Sequence, residues 1–393
     1  MSLHSDKTRP NRHQQPRVFF YVQHLLGTGH IKRAALLTET MRAWGMDIHL
    51  VNGGMPAPGL LDLPAEVQLP ALRAKDQSFR VLVDENGKEI DTDWKNERCR
   101  ILLDHYRRLE PDIVVIETFP FGRRKMKFEL IPLLNEIHRS TPKPAVVCSV
   151  RDVVQARSDQ RLAEMAELLR TRFDHIMVHG DPDFVRFEES FPAIGQIGRQ
   201  LYYTGYVAPP WHTPEGSRGR NEVLVSGGGG AVSAALLATA IKARPLSRLN
   251  KNLWRILAGP NIPQRIFDAL KADAGEGVVV ERNRTDFAGL LQNCTMSVSQ
   301  CGYNTVLDLI QSGARSLVVP FEGSGETEQL LRAGKLVQRG LAQLLTESEL
   351  SPGSLAEAIN LCSAQPPPKQ AGLNLDGAAR SAQFIADIWQ ELN

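Results

Sequence analysis

Short, unbroken apolar runs recur from Arg17 onward, each followed by a longer stretch whose apolar positions return at helical spacing. Residues 18–22 predict a buried strand; the loop Gly27-Thr28-Gly29 follows, and residues 30–44 read as a helix that Gly45 stops. Residues 47–51 are the next strand. The Gly- and Pro-rich residues 53–70 predict a long loop, and residues 72–93, with an Asn86-Gly87 turn signal, predict a small inserted hairpin. Helices over 94–109 and 128–138 flank a strand at 113–116. Strands at 145–149 and 175–178 follow, with a short helix expected after Pro182.

The composition shifts to Pro and Gly around residues 203–220, and then the rhythm restarts. Residues 222–225 predict a strand, Gly227 to Gly230 a loop, and residues 231–243 a helix. Further strands are expected at 253–257, 277–280, 295–299 and 316–319, and a last helix at 377–392 after Gln365-Pro366-Pro367-Pro368. Solid apolar strands alternating with helices imply parallel sheets covered on both faces. The expected organisation is a disordered tail at 1–16, a Rossmann-like domain at 17–205 and a linker at 206–221. A second such domain spans 222–375, and the helix at 376–393 is expected to pack back toward the first.

A chain of 393 residues exceeds one ordinary core, which agrees with two domains. A net charge of +2 gives no support to nucleic-acid binding. The five cysteines sit at no metal-ligand spacing and form no even framework, so reduced thiols and a cytoplasmic location are expected. No run approaches the roughly 18 apolar residues of a membrane span. Peripheral attachment at the inner face of a membrane stays open.

Chemistry concentrates where strands end. Gly227, Gly228, Gly229 and Gly230 lie between a strand and a helix, where bare backbone N–H groups and the helix start suit a diphosphate. A tight packing turn is the alternative. The stretch lacks the Lys-Ser/Thr of a P-loop and the spacing of a dinucleotide fingerprint. In the first half, His30 opens a helix behind Gly29 and Thr28, with Arg33 one turn on. Its imidazole could act as a general base or merely cap the helix. Glu117, the second candidate for the catalytic base after His30, leads into a basic loop holding Arg123 and Arg124, which suits an acceptor phosphate or is a solvated charge run whose arginines satisfy Glu117. Arg151-Asp152, after the next strand, is a weaker candidate of the same type. From Ser297 to Gln329 two strand tips carry Gly302, Asn304, Thr305, Asp308, Glu328 and Gln329; Asn304, Thr305 and Asp308 offer acceptors of the kind a ribose requires, or are an N-cap and a solvated helix carboxylate. Asp91-Thr92-Asp93 and Asp181-Pro182-Asp183 look like metal-binding Asp-x-Asp motifs but recur easily by chance.

The order of these features resembles the GT-B glycosyltransferases of the MurG type, most specifically over residues 283–333. That resemblance implies an α/β GT-B fold, with two doubly wound Rossmann-like domains facing a cleft. It implies transfer of a sugar from a nucleoside-diphosphate donor, a UDP-sugar, to a hydroxyl on a sugar or lipid-linked acceptor, with inversion and without an obligatory metal or cofactor. The acceptor is expected on the first domain and the donor on the second. Asp308 stands where the family has a ribose-binding Glu, and Glu328-Gln329 where it has paired glutamines on the donor sugar. Asn283 and Arg284 fall where the family cradles the uracil. The family's phosphate loop reads here Ser226-Gly227-Gly228-Gly229-Gly230, without its usual serine. The first loop is similar to the Gly-x-Gly-His-x-x-Arg form of PseG-type UDP-sugar hydrolases. Hydrolysis is therefore the leading enzymatic alternative; binding of a sugar nucleotide without catalysis and epimerisation of the donor sugar are the others.

Overall fold

Alternate residues of the first strand serve two separate cores: Val18, Phe20 and Val22 face one layer, Phe19 and Tyr21 the other. The computed structural model in which this is seen describes residues 14–27, 29–57, 67–76, 79–197, 201–211, 216–228, 232–282, 284–369 and 372–393. The chain forms two compact units, one from Met1–Ala208 with Asn374–Asn393, the other from Pro209–Leu373.

In the first unit the chain runs β1 (Arg17–Val22), α1 (Gly29–Ala43), β2 (Asp47–Asn52), β3 (Val67–Gln68), β4 (Leu72–Ala74), β5 (Leu82–Asp84), α2 (Thr92–Leu109), β6 (Ile113–Glu117) and α3 (Lys127–Arg139). It continues through β7 (Ala145–Arg151), α4 (Asp159–Arg172), β8 (His175–His179) and β9 (Leu201–Tyr203). Seven parallel strands form one sheet in the order β3-β2-β1-β6-β7-β8-β9. The chain builds outward from β1 in one direction and then from β6 in the other, so the switch point of the sheet lies at the carboxyl ends of β1 and β6. The final helix α11 (Gly377–Leu392) belongs to this unit, where Ala382, Ile385 and Ile388 pack with Ile31, Leu37 and Met41 of α1.

The second unit comprises β10 (Glu222–Ser226), α5 (Ala234–Ala243), β11 (Leu253–Ala258), α6 (Gln264–Asp273), β12 (Val278–Arg282), α7 (Phe287–Asn293) and β13 (Met296–Ser299). Then come α8 (Tyr303–Ser312), β14 (Ser316–Val318), α9 (Glu328–Gln338), β15 (Gln343–Leu344) and α10 (Pro352–Ser363). Its six parallel strands are ordered β12-β11-β10-β13-β14-β15, which puts the switch point at the tips of β10 and β13.

Several elements depart from the sequence reading. In place of the helix expected after Pro182 stand two 3-10 turns, Phe187–Glu189 and Pro192–Gln196, and Pro192, which opens the second, bars any helix from running through from the first. The helix expected from residue 231 begins at Ala234. Glu117 is the last residue of β6 instead of a loop residue. Residues 206–208, read as linker for their prolines and glycines, belong to the first unit: the Tyr206 N–H donates to Asn374 O at 2.8 Å and Val207 bridges to Asp376. Residues 374 and 375 fall there too. Most of the expected tail, with Thr28, Gly229, Gly230 and Asn283, lies outside the described residues.

Candidate functional site

The first unit's switch point is occupied by a charged cluster. The carboxylate of Glu117 is fully buried at the tip of β6, and Arg33, on the first turns of α1, donates to its Oε1 from a side chain itself almost wholly buried. His30, at the start of the same helix, places Nδ1 2.9 Å from Oε1 and 3.1 Å from Oε2. Thr118 Oγ1 stands 3.4 Å from that nitrogen. A carboxylate can only accept, so Nδ1 carries the proton and Nε2 is left as the basic nitrogen. The imidazole keeps 15% exposure, enough to be reached. Burial pushes its pKa down to about 3 against the pull of Glu117, so the ring is neutral at physiological pH. Burial favours protonation of Glu117, but His30, Arg33 and Arg123 outweigh it and hold the carboxyl below its usual range.

The loop after β6 is fixed by its aromatic residues. Phe121 meets Phe187 and Phe191 edge-on, with centroids 5.1 and 5.0 Å apart. Thr118 and Arg123 both take left-handed backbone conformations, at φ 67° and 59°, which non-glycine residues adopt only where surroundings enforce it. Arg123 Nε donates to Gln23 O at 2.6 Å, joining this loop to the one after β1. Gln23 is anchored in turn by Arg98, whose guanidinium is paired with the fully buried Glu129. Arg124 does not join the Glu117 cluster. It is exposed and lines a separate cavity of about 100 Å³ with Phe119, Phe121, Arg157 and Met165. Sequence reasoning did not anticipate Gln23, Thr118 or a buried chain in which His179 lies between Ser149 Oγ (2.8 Å) and Thr204 Oγ1 (3.0 Å). Only the position of these residues at strand ends could have signalled them.

In the second unit the strand tips bring Ser226, Gly227 and Gly228 together with the start of α8. A Cβ on Gly227 would lie 2.0 Å from Ser233 Oγ, so the position admits only glycine. Gly228 has φ +62°, and a Cβ there would sit 3.5 Å from Thr305 Oγ1. The Ser226 hydroxyl accepts from the Gly228 N–H at 3.3 Å. Gly302 caps α8, and Asn304, Thr305 and Asp308 are the accessible polar positions of its first two turns. Arg284 is engaged by Asp286 at 2.7 Å and by Glu281 at 3.0 Å. Glu328 is buried on α9, with Arg332 Nη2 at 3.5 Å from its carboxylate. Gln329 Oε1 accepts from two backbone N–H groups, those of Cys301 at 3.0 Å and Phe321 at 3.1 Å.

The Asp-x-Asp pairs have local structural tasks. Asp91 caps α2 by accepting from the Trp94 N–H, and Asp181 accepts from the N–H groups of Asp183 and Asn374. Among the described residues no three His, Cys, Asp or Glu side chains converge as a metal site. None of the described helices is long and apolar enough to cross a membrane.

Residues 223–390 match the model of the glycosyltransferase family 28 C-terminal domain. The UDP-N-acetylglucosamine–N-acetylmuramyl-(pentapeptide) pyrophosphoryl-undecaprenol N-acetylglucosamine transferase of Albidiferax ferrireducens is 30% identical over 346 residues, 84% of this chain and 80% of that protein. The crystal structure of Acinetobacter baumannii MurG superposes with a TM-score of 0.57 at 15% identity, covering 96% of this chain and all of the other. The calicheamicin glycosyltransferase gives 0.58 at 15% identity, covering 97% and 95%. With two parallel sheets, a family 28 domain and a relative this similar across most of its length, the chain belongs to the MurG-like glycosyltransferases of family 28, enzymes of the GT-B fold.

Proposed function

We propose that this enzyme transfers a sugar from a UDP-sugar to a hydroxyl of a sugar or lipid-linked acceptor, with inversion at the anomeric carbon. The observation that carries the reading is the His30–Glu117 pair. One imidazole nitrogen is held by a buried carboxylate, and the other is unprotonated on a ring that keeps 15% exposure. In this reading Nε2 takes the acceptor's proton as the new C–O bond forms, and Glu117 stabilises the imidazolium that results. In this reading the leaving diphosphate gathers charge beside Gly227 and Gly228 and the start of α5, where the positive end of the helix favours an anion. No metal is assigned a part, so a chelator should leave the rate unchanged.

The donor's nucleoside falls to Asn304, Thr305 and Asp308, and its sugar to the region of Glu328 and Gln329. UDP-N-acetylglucosamine, the donor named for the Albidiferax relative, is the first to test. The exposed cations Arg124, Lys125 and Lys127 support an anionic, lipid-linked acceptor met by a peripheral protein on the cytoplasmic face.

The test is a thermal-shift screen of UDP-, GDP-, dTDP- and ADP-sugars, followed by turnover with candidate acceptors for wild type and His30→Gln. Stabilisation by UDP-sugars is expected, with transfer lowered about 10²- to 10⁴-fold in the variant at unchanged donor affinity. Stoichiometric release of free sugar without acceptor would establish a hydrolase instead. Equal turnover by both proteins would remove His30 from the mechanism.

A further inference from the structure

Gln329 holds an unusual place for a residue expected to touch a sugar. Its carboxamide oxygen has two lone pairs, and both are used, by the N–H of Cys301 and the N–H of Phe321. These two groups leave neighbouring parallel strands: Cys301 follows β13 and Phe321 follows β14, whose ladder ends at the Ser299–Val318 pair. Beyond that pair the strands diverge into separate loops. The side chain takes over from the ladder by accepting from both N–H groups just beyond the strand tips.

The position of this link matters more than its strength. Cys301 immediately precedes Gly302, the cap of α8, and α8 carries Asn304, Thr305 and Asp308. Thr305 in turn faces Gly228 of the glycine strip. One amide oxygen on α9 therefore sets the start of α8, and through it the spacing between the nucleoside residues and the diphosphate loop.

We infer that Gln329 is a positioning residue of the donor site. It acts on the nucleotide through the β13 and β14 tips, with only its Nε2 hydrogens left to meet a ligand. The inference rests on the reading of the second unit as the UDP-sugar site. It has a consequence that a sugar contact lacks: loss of the oxygen should weaken UDP itself as much as a UDP-sugar, because the residues displaced are those of the nucleoside.

Three variants separate the possibilities. Gln329→Glu keeps an acceptor oxygen for both N–H groups but removes the amide donor; Gln329→Met and Gln329→Ala remove the acceptor, with and without loss of side-chain volume. Binding of UDP and of UDP-N-acetylglucosamine is measured by calorimetry, and folding by thermal denaturation without ligand. The expected result is affinity for both ligands falling together, by about tenfold, in the Met and Ala variants, with recovery to within about threefold in the Glu variant. Loss of UDP-N-acetylglucosamine affinity in all three, with UDP unaffected, would make Gln329 a direct sugar contact and overturn the inference. So would a lowered melting temperature with both affinities intact, which is the signature of a purely structural bond. Failure of either ligand to bind the wild type would instead refute the donor-site reading on which the inference stands.

Discussion

Replacing Glu117 by Gln tests the charged cluster most directly. Glu117 has no exposure and Arg33 only 4%, so the substitution leaves a guanidinium in the interior opposite a neutral amide. Breaking a buried pair from one side typically costs about 3–5 kcal/mol, because the remaining charge has lost its compensation. The glutamine oxygen can still accept N–H groups from Arg33 and His30 but carries no charge, so the lower part of that range applies, about 3 kcal/mol. For a unit of this size that corresponds to roughly 6–12 °C in melting temperature. The measurement should read the first unit alone. Hydrogen exchange of peptides from β1 and β6 does so, and their slowest amides should exchange roughly 10²-fold faster in the variant. The control is the double replacement Arg33→Met with Glu117→Leu. Removing both charges abolishes the desolvation cost as well as the attraction, so the double variant should be more stable than Glu117→Gln alone. If Glu117→Gln changes protection by less than about fivefold, or if the single costs simply add in the double variant, the cluster is not the buried, coupled assembly described above.

Two further outcomes follow from the same geometry. Burial holds both His30 and His179 at about 3, far below the ~6.5 of an unfolded histidine, so between those values the unfolded state binds the extra protons. Stability of the first unit should therefore fall as pH drops below about 6.5, by up to about 1.4 kcal/mol per pH unit for each ring. The depressed Glu117 adds its own loss only below about 4.3. Urea unfolding from pH 7 to 5 measures the slope, to which His24, His105 and His175, also lowered by burial, add their shares; His179→Gln should reduce it, and a slope unaffected by the substitution would refute the assignment. In the second unit, Gly227→Ala forces a methyl onto the Ser233 hydroxyl and should weaken UDP binding by more than about tenfold. Adding Ser233→Gly removes both atoms in conflict, so the double variant should regain most of the lost thermal stability. An unaltered Gly227→Ala protein would show that the strip has room to spare.

Much of the architecture could be read from the chain because long parallel strands buried on both faces are written as solid apolar runs. Runs such as Val18–Val22 and Ile113–Ile116 are buried throughout, and their helices follow at regular intervals. The edge strands β3, β9 and β15 escaped notice for the opposite reason. They are two or three residues long and half-buried, with no periodicity to detect. The pairing of His30 with Glu117 spans 87 residues and depends on β1 and β6 being neighbours in the sheet, which strand order fixes and local pattern does not. Both residues were picked out separately, from their places at strand ends. The two bonds of Gln329 and the contact of Gly227 with Ser233 were beyond reach, since each depends on where a loop turns after leaving its strand.

The return of α11 to the first unit has a consequence for how the chain is made. Its residues Ala382, Ile385 and Ile388 complete a hydrophobic layer otherwise formed by α1 and the facing side chains of β1, β2, β6, β7 and β8. During synthesis that layer stays open until α11 has left the ribosome, while Pro209–Leu373, a continuous segment, has every part of its own fold already in hand. The unit begun first is finished last. An apolar surface on α1 therefore waits through the translation of an entire second unit, at 5–20 residues per second for about 8–33 s over its 165 residues. In that interval it is the part of the nascent protein most in need of a chaperone.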